Sequence, residues 1–392
     1  MSLRTALIVL TVVSVTADTM ILPFYPQFFA QAFDVHSQAH VGYYLAACCI
    51  SVMLAFPVWA KIARRVHELP LWVITQTLAG LLGIACYFSQ SLWQFWLLSQ
   101  LMLCLKASYL MIYPYVLRLE ERDKHLGMVG LFAVLMQLGG ILGAVVGGAL
   151  LEHYSARSLY LWMAASDGLQ VLVCGYLMWR LRQGWQAPQS EQSTPTRGWT
   201  PHVIRLGLLA MVFYCAAFFI RPFFTPYWQS LNPDSALAAV SISGWLFSLP
   251  GWVALLGLWV NQKRPGSDDH AQVLLLAMLY GCVGLWLQAS ADSALLTIGR
   301  IIYAWALFQI TVRLELWLFA HSEPQFYGQD FSKLHLMQNV GVILASMTVG
   351  HWVSAWGYAS TFVVASVGLL LCALCLLWWR QSDSRNAQPS HS

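Results

Sequence analysis

The sequence predicts an all-α integral membrane protein of twelve transmembrane helices arranged as two six-helix bundles, and three observations carry that expectation. Of 392 residues, 58% are hydrophobic and only 10% are charged, whereas soluble domains carry roughly a quarter charged residues. Twelve apolar runs approach the roughly 20 residues that a helix needs to cross the hydrocarbon core. The longest polar stretch, LRQGWQAPQSEQSTPTRGWTP from Leu181 to Pro201, parts these runs six and six. Its Gln, Ser, Thr and Pro content reads as a linker. The expected organisation is therefore a first bundle at 1–180, a linker at 181–202, a second bundle at 203–380 and a tail at 381–392.

The first run, 5–30, is too long for the core of a signal peptide. It continues into Pro23, Tyr25 and Pro26 rather than a small-residue cleavage site, so it stays as the first span. Runs at 40–60, 71–88, 93–116, 127–151 and 158–180 complete the first bundle. Trp93 and Trp96 near one end of the fourth are interfacial anchors. The fifth carries Gly130, Gly139, Gly143, Gly147 and Gly148. Glycines four apart share a face, and because lipid supplies no hydrophobic drive between helices, such a stripe lets a neighbouring backbone come close. The second bundle takes runs at 203–229, 236–260, 271–290, 293–313, 335–354 and 358–379, the last anchored by Trp378 and Trp379.

Orientation follows from the basic residues. With a cytoplasmic N-terminus, seventeen of the twenty-one Lys and Arg fall on the inner side, among them Lys61, Arg64, Arg65, Lys263 and Arg380. Only Arg157 falls in an outer loop, while Lys106, Arg221 and Arg300 lie within spans. Both termini are thus expected in the cytoplasm. The net charge of +4 follows from this topology; no contiguous basic patch points to nucleic acid. Nine cysteines scattered through apolar segments point to neither disulfides nor a metal site.

The two halves echo each other at an offset near 200. Ile21-Leu22-Pro23-Phe24 resembles Ile220-Arg221-Pro222-Phe223, Leu135-Met136-Gln137 recurs as Leu336-Met337-Gln338, and Arg118-Leu119-Glu120 as Arg313-Leu314-Glu315. On these features the chain resembles the major facilitator superfamily along essentially its whole length. Asp18 followed by Pro23 and Pro26 looks like the acidic residue and paired prolines of drug-type proton antiporters. The glycine stripe resembles the family's fifth-helix antiporter motif, with Gly143-Ala144 where a Gly-Pro pair normally stands. The loop after the second helix fits at Lys61, Arg64 and Arg65 but has Ala60 at the acidic position. The family's fourth-helix arginine falls near Gln100 or Met102; Lys106 lies about one turn further on, and Arg300 stands at an offset of 200 from Gln100. The resemblance implies a substrate site between two parallel six-helix repeats near the bilayer midplane. It also implies an exporter working by exchange in a bacterial inner membrane.

An ionisable group within a span persists only where it faces a cavity or a partner, which makes the candidates few. Asp18, about 20 Å into the first span at 1.5 Å per residue, is the first choice for proton carrier. The balance between its burial and a nearby Lys106 or Arg221 decides whether it holds a proton; a static ion pair is the alternative. Asp167, within Ser166-Asp167-Gly168, is the second. Lys106, Arg221 and Arg300 are candidates for contact with an anionic substrate; snorkelling is the alternative for Arg221, a structural pair for Arg300, and Lys106 lies too deep to snorkel and faces protein or water. Gln137, Gln338 and Asn339 are candidate hydrogen-bonding groups of the cavity wall, or interhelical polar contacts. Tyr25, Tyr109 and Tyr113 are candidates for its aromatic lining, or core. Lys61, Arg64, Arg65, Arg313 and Glu315 are candidates for a cytoplasmic gate.

No Gly-rich phosphate loop ending in Lys-Ser or Lys-Thr is present. The reading is therefore a proton-driven secondary transporter without a cofactor, expected as a monomer in the lipid bilayer, moving a small organic molecule outward. Buried cations outnumbering buried acids favour an anionic or amphiphilic cargo, siderophore-like or drug-like. An importer of the same fold is the nearest alternative. A membrane-embedded enzyme is the alternative of another class, with Glu120-Glu121-Arg122-Asp123 the nearest thing to a catalytic cluster.

Overall fold

The structure, a computed structural model, describes residues 3–112, 115–116, 125–182, 184–185, 197–233, 236–263, 269–323 and 326–386. Fourteen α-helices form among them. Proline decides where two spans break. Pro23 has no N–H to continue the ladder, so α1 (Leu3–Thr19) passes through a 3-10 turn at Leu22–Phe24 into α2 (Tyr25–Phe33). In the second half Pro222 does the same, and α8 (Pro201–Ile220) turns at Arg221–Phe223 into α9 (Phe224–Leu231).

The remaining helices of the first half are α3 (Gln38–Ile62), α4 (Glu68–Phe88), α5 (Leu92–Lys106), α6 (His125–His153) and α7 (Ser158–Leu181). Those of the second are α10 (Val240–Lys263), α11 (His270–Gln288), α12 (Ser293–His321), α13 (Tyr327–Trp356) and α14 (Ser360–Asn386). Short polar side chains start several of them. Ser37, Ser91, Thr200, Asp269 and Asp292 each accept a hydrogen bond from a first-turn backbone N–H, as good N-caps do.

Ten spans among the described residues are long and apolar enough to cross a membrane. The two expected spans outside that set differ for separate reasons. The fourth was expected to run unbroken over 93–116, but α5 ends after 15 residues and tightens into a 3-10 turn at Ala107–Met111. The eleventh, α13, has 30 residues, but Gln338, Asn339 and His351 interrupt its apolar stretch and lower its mean hydropathy.

Two compact units emerge: Met1–Ser193 with Asp234–Ser248, and Thr194–Pro233 with Leu249–Ser392. In the first, α1 lies on α6 and α7, while α4 packs on α5 and α7. Its apolar core gathers Leu7, Leu10, Trp72, Tyr109, Cys174 and Leu177. On α2, α3, α5 and the start of α7, Tyr25, Phe28, Phe29, Tyr44, Phe95 and Tyr160 form an aromatic cluster with centroids 5.0–6.5 Å apart. In the second unit α11 lies on α12 and α14, and α8 on α13 and α14.

Candidate functional site

Three charges that sequence leaves far apart meet in the first unit. The Lys106 ammonium, at the point where α5 gives way to its 3-10 turn, donates to Asp18 Oδ1 of α1 at 2.8 Å and to Asp167 Oδ1 of α7 at 2.5 Å. Helix α4 packs directly against the buried acid. A Cβ placed on Gly80 of α4 would stand 3.4 Å from Asp167 Cβ, so α4 and α7 approach closely where the carboxylate sits. The three members differ in access: Lys106 and Asp167 are buried, whereas the Asp18 side chain is 36% exposed. Two carboxylates and one ammonium leave one excess negative charge. Such a cluster is held together by its geometry, since removing one partner strands a buried charge at a cost of about 3–5 kcal/mol.

The glycine stripe of α6 grips α1 around Asp18. A Cβ on Gly139 would collide with the Val15 side chain at 2.6 Å, and one on Gly143 would stand 2.8 Å from the Thr16 carbonyl. One on Gly147 would meet the carbonyl of Met20. Thr19 Oγ1 adds a 3.3 Å hydrogen bond to the Gly139 carbonyl. Further along α6, Gly148 faces Val240 and Ser241, and Gly244 faces the Ala144 carbonyl, so Ala144 stands in a second seam, with α10. Glu152 closes that seam by accepting from Ser241 N at 3.0 Å and Ser241 Oγ at 2.8 Å. Gly130 lies on α6, its surroundings outside the described residues.

The second unit carries cations. Arg300 is buried on α12 with its guanidinium carbon 3.8 Å from the centre of the Phe224 ring. Arg221 is exposed at the α8–α9 turn. Arg313 is buried and approaches His270 Nδ1 at 3.4 Å. Glu315, two residues on and therefore on another face of α12, is half-buried. The two do not form a pair.

Other candidates are scattered. Tyr25 is built into the aromatic cluster and Tyr109 packs on Trp72 at 5.4 Å, the core alternative of the two open to them. Tyr113 lies outside the described residues. Gln338 is buried, Gln137 and Asn339 are exposed, and Lys61, Arg64 and Arg65 are exposed together at the end of α3 and after it. Sequence reasoning missed Gly80 and Gly83 of α4, Glu152, and the buried amides Gln76 and Gln170. The glycines three apart in the third span were the available signal.

Residues 7–312 match the family model described as Major Facilitator Superfamily. The multidrug resistance protein MdtG of Yersinia enterocolitica is 21% identical over 384 residues, covering 95% of this chain and 91% of that protein. Among solved structures, a mutant of the nucleoside transporter NupG superposes with a TM-score of 0.79 at 13% identity, over 96% of this chain and 99% of its own. A bacterial homolog of the human lysosomal transporter Spinster, inward-facing and unoccupied, gives 0.74 at 14% identity, over 99% and 98%.

Proposed function

The chain belongs to the major facilitator superfamily, and on that premise we propose that it exports a small organic molecule in exchange for protons. Membership makes it a multipass membrane transporter and not an enzyme. The observation that carries proton coupling is the Lys106 ammonium shared by Asp18 and Asp167. One proton neutralises the excess charge of the triad. With both acids ionised, Lys106 ties α1 to α7 through α5; protonating either acid leaves the ammonium to the other and loosens one of those ties. Proton number is thereby converted into helix position, the kind of two-state packing on which alternating access depends. Asp18, the exposed member, is where a proton enters or leaves.

Arg221 and Arg300 suit a cargo with a carboxylate or another anionic group on an apolar body. The outward direction is supported by the relatives' name, multidrug resistance protein, and the bacterial inner membrane with both termini cytoplasmic by the distribution of Lys and Arg. Both repeats lie in one chain, so a monomer suffices.

The test uses protein in liposomes under an imposed pH gradient, with ethidium as a cationic probe and carboxyfluorescein as an anionic one. Either probe should move against the proton flow only while the gradient lasts. Asp18→Asn should abolish gradient-driven movement while sparing probe binding. Unchanged driven movement in both Asp18→Asn and Asp167→Asn would remove the triad from coupling, and movement with the proton flow would replace export by import.

A further inference from the structure

We infer that the seam between α4 and α7 holds bound water behind the charged triad, in a pocket made by Gln76, Gln170 and the second oxygen of Asp167. The register of the two antiparallel helices can be read from the contacts of Gly80 and Gly83. A Cβ on Gly80 would stand 3.4 Å from Asp167 Cβ and 3.6 Å from the Ala164 carbonyl, and one on Gly83 would stand 3.4 Å from Ala164 Cβ. One turn back along α4 is Gln76, and one turn forward along α7 is Gln170, so the two amides are opposed next to Asp167. Each is 1% exposed. Yet Gln76 Nε2, Gln170 Nε2, Gln170 Oε1 and Asp167 Oδ2 have no hydrogen-bond partner among the described residues.

An unsatisfied buried polar group costs about 1–3 kcal/mol. Four such atoms in one layer call for a guest that accepts from two amide N–H groups and donates to an amide oxygen and a carboxylate oxygen. Water does both, and it fills polar pockets of this kind. A metal cation is disfavoured, because the Lys106 ammonium 2.5 Å from the other Asp167 oxygen already supplies positive charge at the carboxylate. One further turn along the pair brings Trp72 and Cys174, both in the apolar core with Tyr109 and Leu177. The apolar core therefore closes the seam at that end, and the charged triad stands at the other.

The second repeat supplies the contrast. Gly281 and Gly284 stand where Gly80 and Gly83 do, at an offset near 200. There a Cβ on Gly281 would meet Ala306 Cβ at 3.0 Å and Leu369 Cδ1 at 3.1 Å, and the position of Gln76 is taken by buried Ala277. At that register α11 carries an apolar side chain in place of the amide, and Gly284 packs on Gly299 and Tyr303 of α12 rather than on α14. The role assigned to the water rests on the proton-coupling reading: it gives Asp167 a second partner, so that Lys106 can move toward Asp18 without leaving a bare carboxylate in the seam.

Leucine at Gln76 or Gln170 separates a wet seam from a dry one. In a dry seam, removing an orphaned amide is neutral or stabilising; in a wet one it strands the remaining partners. Gln76→Leu and Gln170→Leu should each lower the unfolding temperature of the purified protein by roughly 2–4 °C. The double variant should lose less than the sum, because both amides hold the same water. Infrared spectra of the wild type in ordinary and oxygen-18 water should show isotope-sensitive O–H bands of internal water that the double variant lacks. An unchanged or raised unfolding temperature, bands that persist in the double variant, or a stabilisation by sodium that the double variant loses would each overturn the water site. None of these measurements uses a gradient, so their failure is distinct from failure of the coupling reading, which Asp18→Asn tests.

Discussion

The first unit sets Lys106 between Asp18 and Asp167, whereas the second lays Arg300 on the face of Phe224. Around these centres the frames agree. Both repeats bend their first span at a proline in a 3-10 turn, and both place two glycines three apart on their third. The charged residues do not follow the frame: at an offset near 200, Lys106 falls on Ala306 and Gln100 on Arg300. The backbone devices recur in both halves, where each serves the packing of its own unit. Side chains at the centre are free to diverge, and the divergence fits a division in which one repeat handles protons and the other the charge of the cargo.

The comparison breaks most visibly at Lys106. Lys106→Met should destabilise the protein by about 3–5 kcal/mol, measured by chemical unfolding in detergent, and adding Asp167→Asn should recover most of the loss. If Lys106→Met alone is neutral, the triad is not an interdependent cluster. Next in size is the seam that holds α1. Gly143→Val drives a side chain into Thr16 and Thr19 and should cost about 1–3 kcal/mol, while Gly140→Ala, with nothing within 4 Å of the added Cβ, should change thermal stability little. Equal effects at the two positions would mean that the stripe is not a contact surface.

In the second unit Arg300→Met should cost at most about 2 kcal/mol, the scale of a desolvated cation–aromatic contact. It should slow carboxyfluorescein more than ethidium in the liposome assay; an equal loss for both probes would remove charge selection from Arg300. The smallest expected effect is at Glu152, where alanine forfeits a cap on α10 worth about 1 kcal/mol. Glutamine, which keeps the acceptor, should restore most of it in the same unfolding measurement.

The helices were legible because apolar length and proline placement act locally. A missing N–H at Pro23 or Pro222 bends a span whatever surrounds it. The end of α5 at Lys106 was not legible, since a switch to 3-10 geometry leaves no compositional mark in LKASYLM. Asp18, Lys106 and Asp167 could each be singled out as costly in a membrane, but their meeting depends on the rotation of three helices about their own axes. That rotation is fixed by seams such as Gly80 on α7, which link residues 80 or more positions apart. Tyr25 and Tyr109 stayed open between lining and core for a related reason: an interior tyrosine reads alike whether its neighbour is a cavity or Tyr44 at 5.0 Å. Arg313 and Glu315 were separable in advance, because residues two apart on a helix cannot share a face.

At Gly143 and Gly147 the stripe of α6 meets the end of α1 and the residue after it mostly through main-chain atoms, the carbonyls of Thr16 and Met20 among them, besides the Thr19 hydroxyl. A contact that reads main chain places little demand on which side chains the touched helix displays. Residues on the other faces of α1 can then be exchanged one at a time without changing how that helix is held, and a mutational scan should find the glycines intolerant where much of α1 is permissive. Adaptation to a new cargo has an open route there, with Asp18 kept in place by a neighbour indifferent to the change.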